Sequence, residues 1–182
     1  MESGSLVGQV EGTDADRPYA ELYREYLPRI LNYVRMRVGS EDLAQDLTAA
    51  TFERAVAKQH TLRKRGAFGA WLFRIARNVV AGYYRKQRPG VPLESVPDLP
   101  AAGPSPPEVV MHREEVARLR EAIATLPERE QEIIQLRFGG GLGNKEIAQV
   151  MGLQAGHVGV IVYRALRKLR AVLEDGSDPS GV

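Results

Sequence analysis

The sequence predicts an all-α protein of two small helical domains joined by a proline-rich linker, with a helix-turn-helix in the C-terminal domain. Three observations carry that expectation. Apolar residues recur every three or four positions through most of the chain. The segment from Arg88 to Glu108 holds seven of the eleven prolines. Leu126 to Arg170 reads as helix, glycine break, short helix, tight turn and longer basic helix.

Taken in order, residues 1–16 are rich in Gly, Ser and acids without periodicity and are expected to be a disordered leader. From Tyr19, an apolar stripe of Leu22, Tyr23, Tyr26, Ile30, Leu31, Val34 and Val38 predicts a helix, which Pro28 kinks or restarts. Gly39 ends it and Ser40 caps the next. That second helix, Glu41 to about Lys58, buries Leu43, Leu47, Thr51 and Ala55 with Phe52 alongside, and carries Glu41, Asp42, Asp46 and Glu53 outside. Such an acidic face is ordinarily just a solvated one. A short basic loop, Gln59 to Gly66, leads into a third helix with Phe68, Trp71, Leu72, Ile75, Ala76, Val79 and Tyr83 as its core stripe.

The first domain closes near residue 88. The linker, 89–107, can hold neither a helix nor a core, and at about 3.1 Å per residue it would separate the domains by up to roughly 60 Å. The second domain, 108–174, opens with a helix near Pro107 whose apolar positions are His112, Val116, Leu119, Ile123 and Leu126. Pro127 starts the next helix, Ile133, Ile134 and Leu136 pack, Phe138 closes, and Gly139 to Gly141 stop it. Asn144 then caps a short helix that packs through Ile147, Ala148 and Met151, and Gly152 with Leu153 makes the turn. The last helix packs through Val158, Val162, Ala165, Leu166 and Leu169 and carries Arg164, Arg167, Lys168 and Arg170 near its far end. Residues 175–182 form a polar tail.

Composition narrows the function. A chain of 182 residues with 43% hydrophobic content can bury a core in each of two domains. Its apolar runs are far below the roughly 20 residues of a membrane span, and no leader pattern opens it, so the cytoplasm is the expected location, without membrane insertion. The absence of cysteine excludes disulfides and thiolate metal sites, and three scattered histidines do not make a metal site. No cofactor and no catalytic chemistry are expected.

A net charge of +2 conceals an uneven distribution. Thr61 to Gly90 contains Arg63, Lys64, Arg65, Arg74, Arg77, Arg85, Lys86 and Arg88 and no acid. A field that one-sided suits a polyanion. Tyr84 is an aromatic among these cations. It either stacks a base of a single strand or edges the core.

Phe68-Gly69-Ala70-Trp71-Leu72-Phe73-Arg74-Ile75-Ala76-Arg77-Asn78 looks like an F-x-x-W-L-x-R-I-A-x-N signature. With Leu126-Pro127, Leu136-Arg137, Glu146-Ile147-Ala148, Arg164-Ala165 and Leu169 in order, the chain resembles the extracytoplasmic-function (ECF) sigma factors of the bacterial sigma-70 family over about Tyr19 to Leu173. The resemblance implies an alternative sigma factor that directs core RNA polymerase to promoters and opens the DNA. Its first domain would dock on the clamp of the largest subunit through Asp42, Gln45, Asp46 and Phe52. The downstream promoter element and the melted strand would be held by Arg63, Lys64, Arg65, Trp71, Arg74, Arg77, Asn78, Tyr84 and Arg85. Its second domain would sit on the flap of the other large subunit and read the upstream element through Asn144, Lys145, Gln154, Ala155, His157, Arg164 and Lys168. An anti-sigma protein would be its brake.

Two departures from the family pattern stand out. In the register fixed by Phe52, which Arg54 and Ala55 also match, Ala49-Ala50 stands where the family carries a Gln-Glu pair. A rival register, Asp42-Leu43-Ala44-Gln45-Asp46, restores those side chains one turn earlier but leaves Phe52 four residues late, so Gln45 and Asp46 are expected to help the clamp contact. In the recognition helix, His157, Gly159 and Ile161 stand where a threonine and two basic residues are usual, so upstream readout should be weak or rest on phosphate contacts. The rival functions are a regulator using the helix-turn-helix alone, which leaves the Trp71 and Asn78 signature unexplained, and a nucleic-acid enzyme, for which no catalytic constellation appears.

Overall fold

The computed structural model describes residues 17–87 and 107–175. The leader 1–16, the linker core 88–106 and the tail 176–182 lie outside the described residues. Seven α-helices are described: α1 Tyr19–Val38, α2 Glu41–Ala57, α3 Phe68–Gln87, α4 Pro107–Ala124, α5 Glu128–Phe138, α6 Asn144–Met151 and α7 Ala155–Asp175. Two single 3-10 turns, Gln59–Thr61 and Arg65–Ala67, lie between α2 and α3.

In the first domain α1 runs unbroken through Pro28, against the kink or restart that proline suggests. Pro28 is exposed, so the one backbone donor it removes leaves nothing buried without a partner. Gly39 ends α1 in the left-handed region at φ 71°, and its N–H donates to the Arg35 carbonyl. Ser40 then accepts from the Leu43 N–H at 3.5 Å, the long end of hydrogen bonding. The three helices meet over Leu22, Tyr26, Ile30 and Val34 of α1, Ala44, Leu47 and Ala55 of α2, and Phe68, Leu72 and Ala76 of α3. Burial of each large member contributes about 1.5–3 kcal/mol. Gly69 lets α3 close on α1, since a Cβ there would lie 2.6 Å from the Tyr26 hydroxyl.

In the second domain Ala122, Ile123, Leu126, Ile134, Ala165 and Leu169 form a cluster between α4, α5 and α7. The Gln131 amide closes the α4–α5 turn by donating to the Leu126 carbonyl at 2.8 Å. Three apolar residues expected inside are outside: Leu119, Leu166 and Phe138, the last 58% exposed. Ala122 occupies the inner position of α4 in place of Leu119, and the chain turns inward only after Phe138, at Gly139 and Gly140. Gly143, and not Asn144, precedes the first turn of α6, and its N–H donates to the Glu146 carboxylate at 2.8 Å. Asn144 has a bracing role instead: its side-chain oxygen accepts from Arg137 at 2.6 Å, tying α6 back to α5.

The two domains do not stand apart. A single hydrophobic cluster runs from Tyr33 and Phe73 of the first into Ile133, Leu136, Leu142, Ile147 and Val150 of the second. Gly139 and Gly140 make the approach possible: a Cβ on Gly139 would lie 2.9 Å from the Tyr33 Cα, and one on Gly140 would lie 2.6 Å from the Phe73 ring. Arg29 fastens that loop. Its guanidinium lies 4.5 Å from the Tyr26 ring centroid and donates to the carbonyls of Gly140 and Gly141 at 2.8 and 3.2 Å. A proline-rich linker predicts separable halves, but the packing of α5 and α6 on α1 and α3 joins them.

Candidate nucleic-acid interface

Helix α3 supplies the first half of the interface. Its inner stripe is buried, which leaves Arg74, Asn78, Tyr84 and Arg85 exposed and Trp71 and Arg77 half-buried along its flanks. Trp71 sits against Phe68 with ring centroids 5.7 Å apart, and its indole N–H donates to the Thr61 hydroxyl at 3.1 Å. Thr61 in turn donates to the Lys58 carbonyl at 2.7 Å. These two bonds hold the basic loop at the N-terminal end of α3, with Arg63 and Lys64 exposed beside it. The Arg65 side chain lies outside the described residues. Sequence periodicity marks Trp71 and the loop separately, but not Thr61 as the link between them.

Tyr84 is fixed by its hydroxyl, which donates to the Arg37 carbonyl at 3.0 Å, while part of its ring stays exposed. Burial raises its phenol pKa above the ordinary value. Arg74 and Arg77 are engaged. Arg74 donates to the Gln149 carbonyl of α6 at 2.8 Å, and Arg77 pairs with Glu132 of α5 at 2.8 Å. That hydrogen bond raises the Arg77 pKa, and partial burial opposes it.

On α2, Asp42, Gln45 and Asp46 share an exposed face that continues through Ala49, Glu53 and Val56. Val56 is 61% exposed at the C-terminal end of this acidic strip, an apolar contact point that the sequence pattern does not flag. The Gln45 amide donates to Glu41, which Arg35 holds through two bonds of 2.6 Å, keeping the Glu41 carboxyl below its usual range. Phe52 is half-buried, its ring 5.4 Å from that of Tyr23, so it supports the strip from beneath.

Helices α6 and α7 form the helix-turn-helix. Gly152 adopts φ 69° between them, and the Leu153 N–H bonds the Ala148 carbonyl, so the turn needs a left-handed residue there. The outer face of α7 presents Gly156, His157, Val160, Tyr163, Arg164 and Arg167, with Lys145 and Gln154 exposed nearby. Other upstream candidates face elsewhere: Ala155 packs against the core, and Lys168 is paired with Glu130 at 2.9 Å. The departures at Gly159 and Ile161 gain a structural reason. A Cβ on Gly159 would lie 3.2 Å from the Asn144 side chain, and Ile161 packs on the core, so both serve the joint between α6 and α7. Tyr163, 64% exposed, is the largest outward group the sequence reading passed over.

Known proteins share this organisation. Residues 22–89 match Sigma-70 region 2, and residues 122–171 match Sigma-70, region 4. The ECF RNA polymerase sigma factor BldN of Streptomyces coelicolor is 36% identical over 173 residues, covering 93% of this chain and 65% of its own length. The ECF sigma factor ShbA of Streptomyces griseus is 31% identical over 185 residues, covering 94% of this chain and 95% of its own. Among solved structures, sigma factor RpoE from Bartonella quintana in complex with the anti-sigma factor NepR superposes with a TM-score of 0.66 at 26% identity, covering 86% of this chain and 96% of that one. CnrH in complex with the cytosolic domain of CnrY gives the same score at 25% identity, covering 87% and 89%. The two sigma-70 regions fall on the two helical domains built above, and the chain belongs to the ECF sigma factors of RNA polymerase.

Proposed function

We propose that this chain works as an alternative sigma factor whose first domain holds the opened promoter strand and whose second domain docks upstream. The observation that carries the reading is the Thr61–Trp71 hydrogen bond, which places a basic loop beside a helix presenting Asn78, Tyr84 and Arg85. Stacking on aromatic rings with phosphates held by nearby cations suits single-stranded DNA, at roughly 1–3 kcal/mol per base. The acidic strip Asp42, Gln45, Asp46 with Val56 is the surface for the polymerase clamp. Upstream, His157, Val160, Tyr163, Arg164 and Arg167 lie along one outward stripe of α7 and suit a major groove. An anti-sigma protein is the regulatory partner, in keeping with the complexes of RpoE with NepR and CnrH with CnrY, and the work is done in the bacterial cytoplasm.

The test is transcription in a purified system. Core polymerase with this chain should give promoter-dependent RNA and permanganate-reactive thymines in the melted region. Equal binding to duplex DNA with and without polymerase, and no opened thymines, would show an independent helix-turn-helix regulator instead.

A further inference from the structure

The acidic strip on α2 carries several carboxylates but one amide, Gln45, and Ala49 offers a partner nothing polar one turn further on. We propose that Arg35, which belongs to α1 and lies outside the strip, is a positioning residue for polymerase docking. Acting through Glu41, it sets the Gln45 amide with its oxygen outward beside Asp42 and Asp46, where it receives an N–H of a basic clamp side chain. The inference rests on the reading of that strip as the clamp surface.

A relay of hydrogen bonds is the first reason. Only Gly39 and Ser40 separate α1 from α2, which brings Arg35 of the last turn of α1 against Glu41 of the first turn of α2. The guanidinium forks onto the carboxylate, Nε to Oε2 and Nη2 to Oε1, both at 2.6 Å, and its Nη1 donates to the Asn32 side chain at 3.1 Å. The same Glu41 Oε1 accepts from the Gln45 amide nitrogen at 3.0 Å. These bonds, the one from Arg35 foremost, hold the Glu41 carboxyl below its usual range. A carboxylate fixed by a fork offers its remaining lone pairs in a set direction, so it draws in the amide nitrogen and leaves the amide oxygen turned away. That oxygen accepts from no group among the described residues.

Charge is the second reason. Asp42 and Asp46 lie on the same exposed helix face as Gln45, and neither has an ion-pair partner among the described residues. Two carboxylates beside an amide oxygen make a site of acceptors alone, which suits an arginine or lysine and repels an anion. Stability is the third. The Arg35 and Glu41 side chains are 40% and 50% exposed, and an exposed pair adds little to the fold. What the relay supplies is order. A glutamine already held in its bound orientation loses less freedom when the clamp arrives.

The experiment uses the full chain and core polymerase. Variants, singly and in pairs, compete with dye-labelled wild type for the enzyme, read by fluorescence anisotropy. Arg35→Ala and Gln45→Ala should each weaken binding about fivefold, and the double variant by about fivefold as well, because the arginine acts through the amide. Combined with Val56→Ala at the far end of the strip, Arg35→Ala should instead multiply its cost. Arg35→Lys keeps the charge without the fork and should recover only part of the affinity. Circular dichroism should give melting temperatures near that of wild type. Glu41→Ala cuts the same relay from its other end and carries the test if Arg35→Ala melts early. Costs of Arg35→Ala and Gln45→Ala that multiply in the double variant overturn the proposal, and so does either single variant that binds like wild type. Failure of the strip reading would look different: Asp42→Ala, Asp46→Ala and Val56→Ala would all bind core polymerase as wild type does.

Discussion

The hydroxyl of Thr61 accepts from the indole N–H of Trp71 at 3.1 Å and donates to the Lys58 carbonyl at 2.7 Å. One small side chain thus couples the basic loop to α3. Thr61→Val keeps the shape and removes both bonds. A net hydrogen bond contributes about 0.5–1.5 kcal/mol, so the variant should lose several-fold in affinity for downstream-element DNA in the holoenzyme, while Thr61→Ser restores it. Equal behaviour of the valine and serine variants would sink the coupling.

Trp71→Ala should impair promoter opening more than His157→Ala impairs closed-complex formation. The indole buttresses the loop as well as offering a face for stacking, whereas His157 is one exposed residue among several on α7. Permanganate reactivity and a heparin-free gel shift measure the two steps. The reverse ranking counts against placing the opening chemistry on α3.

Val160 is exposed in the middle of the outward stripe of α7, between His157 and Arg164. An apolar side chain in a major groove reads the thymine methyl group. Replacing upstream thymines one at a time by deoxyuracil should weaken wild-type binding at one position by roughly fourfold, the worth of one buried methyl at about 0.8 kcal/mol. Val160→Ala should be indifferent to the change. If no single thymine methyl matters to wild type, Val160 does not face the bases.

Tyr33 is fully buried, and burial pushes its phenol well above the ordinary 10.0, with Arg37 pulling the other way. A folded-state pKa above the unfolded one leaves stability intact below about pH 10 and removes it as pH climbs through the folded value. Thermal stability should therefore fall in alkali. Tyr23 and Tyr84 are displaced in the same direction, so Tyr33→Phe should remove part of that fall. At neutral pH the same variant deletes a hydroxyl with no partner among the described residues, and its melting point should hold or rise. A drop of several degrees at pH 7 would show that the hydroxyl is satisfied after all.

Much of the fold is legible in the sequence because helical periodicity and glycine stops are local signals. The stripe from Leu22 to Val34, the end of α1 at Gly39 and the turn at Gly152 need only their neighbours. Periodicity does not say which apolar group faces a partner that arrives from far along the chain. Tyr33 lies off the α1 stripe yet is fully buried because Gly139 reaches it, and Leu119 lies on a stripe yet is exposed because Ala122 takes its place. The candidate site divides in the same way. The Trp71 and Asn78 segment is recognisable as a motif. Thr61, Val56 and Tyr163 depend on a bond or an exposure that no spacing rule encodes, and the engagement of Arg77 by Glu132 spans 55 residues.

The shared cluster has a thermodynamic consequence. Tyr33 and Phe73 lie in the same apolar body as Leu136, Leu142 and Ile147. Heat that loosens one half therefore strips cover from the other, and the two sequence regions should melt in one cooperative step. A partner that held the halves apart would remove that coupling, and each would then denature at its own temperature.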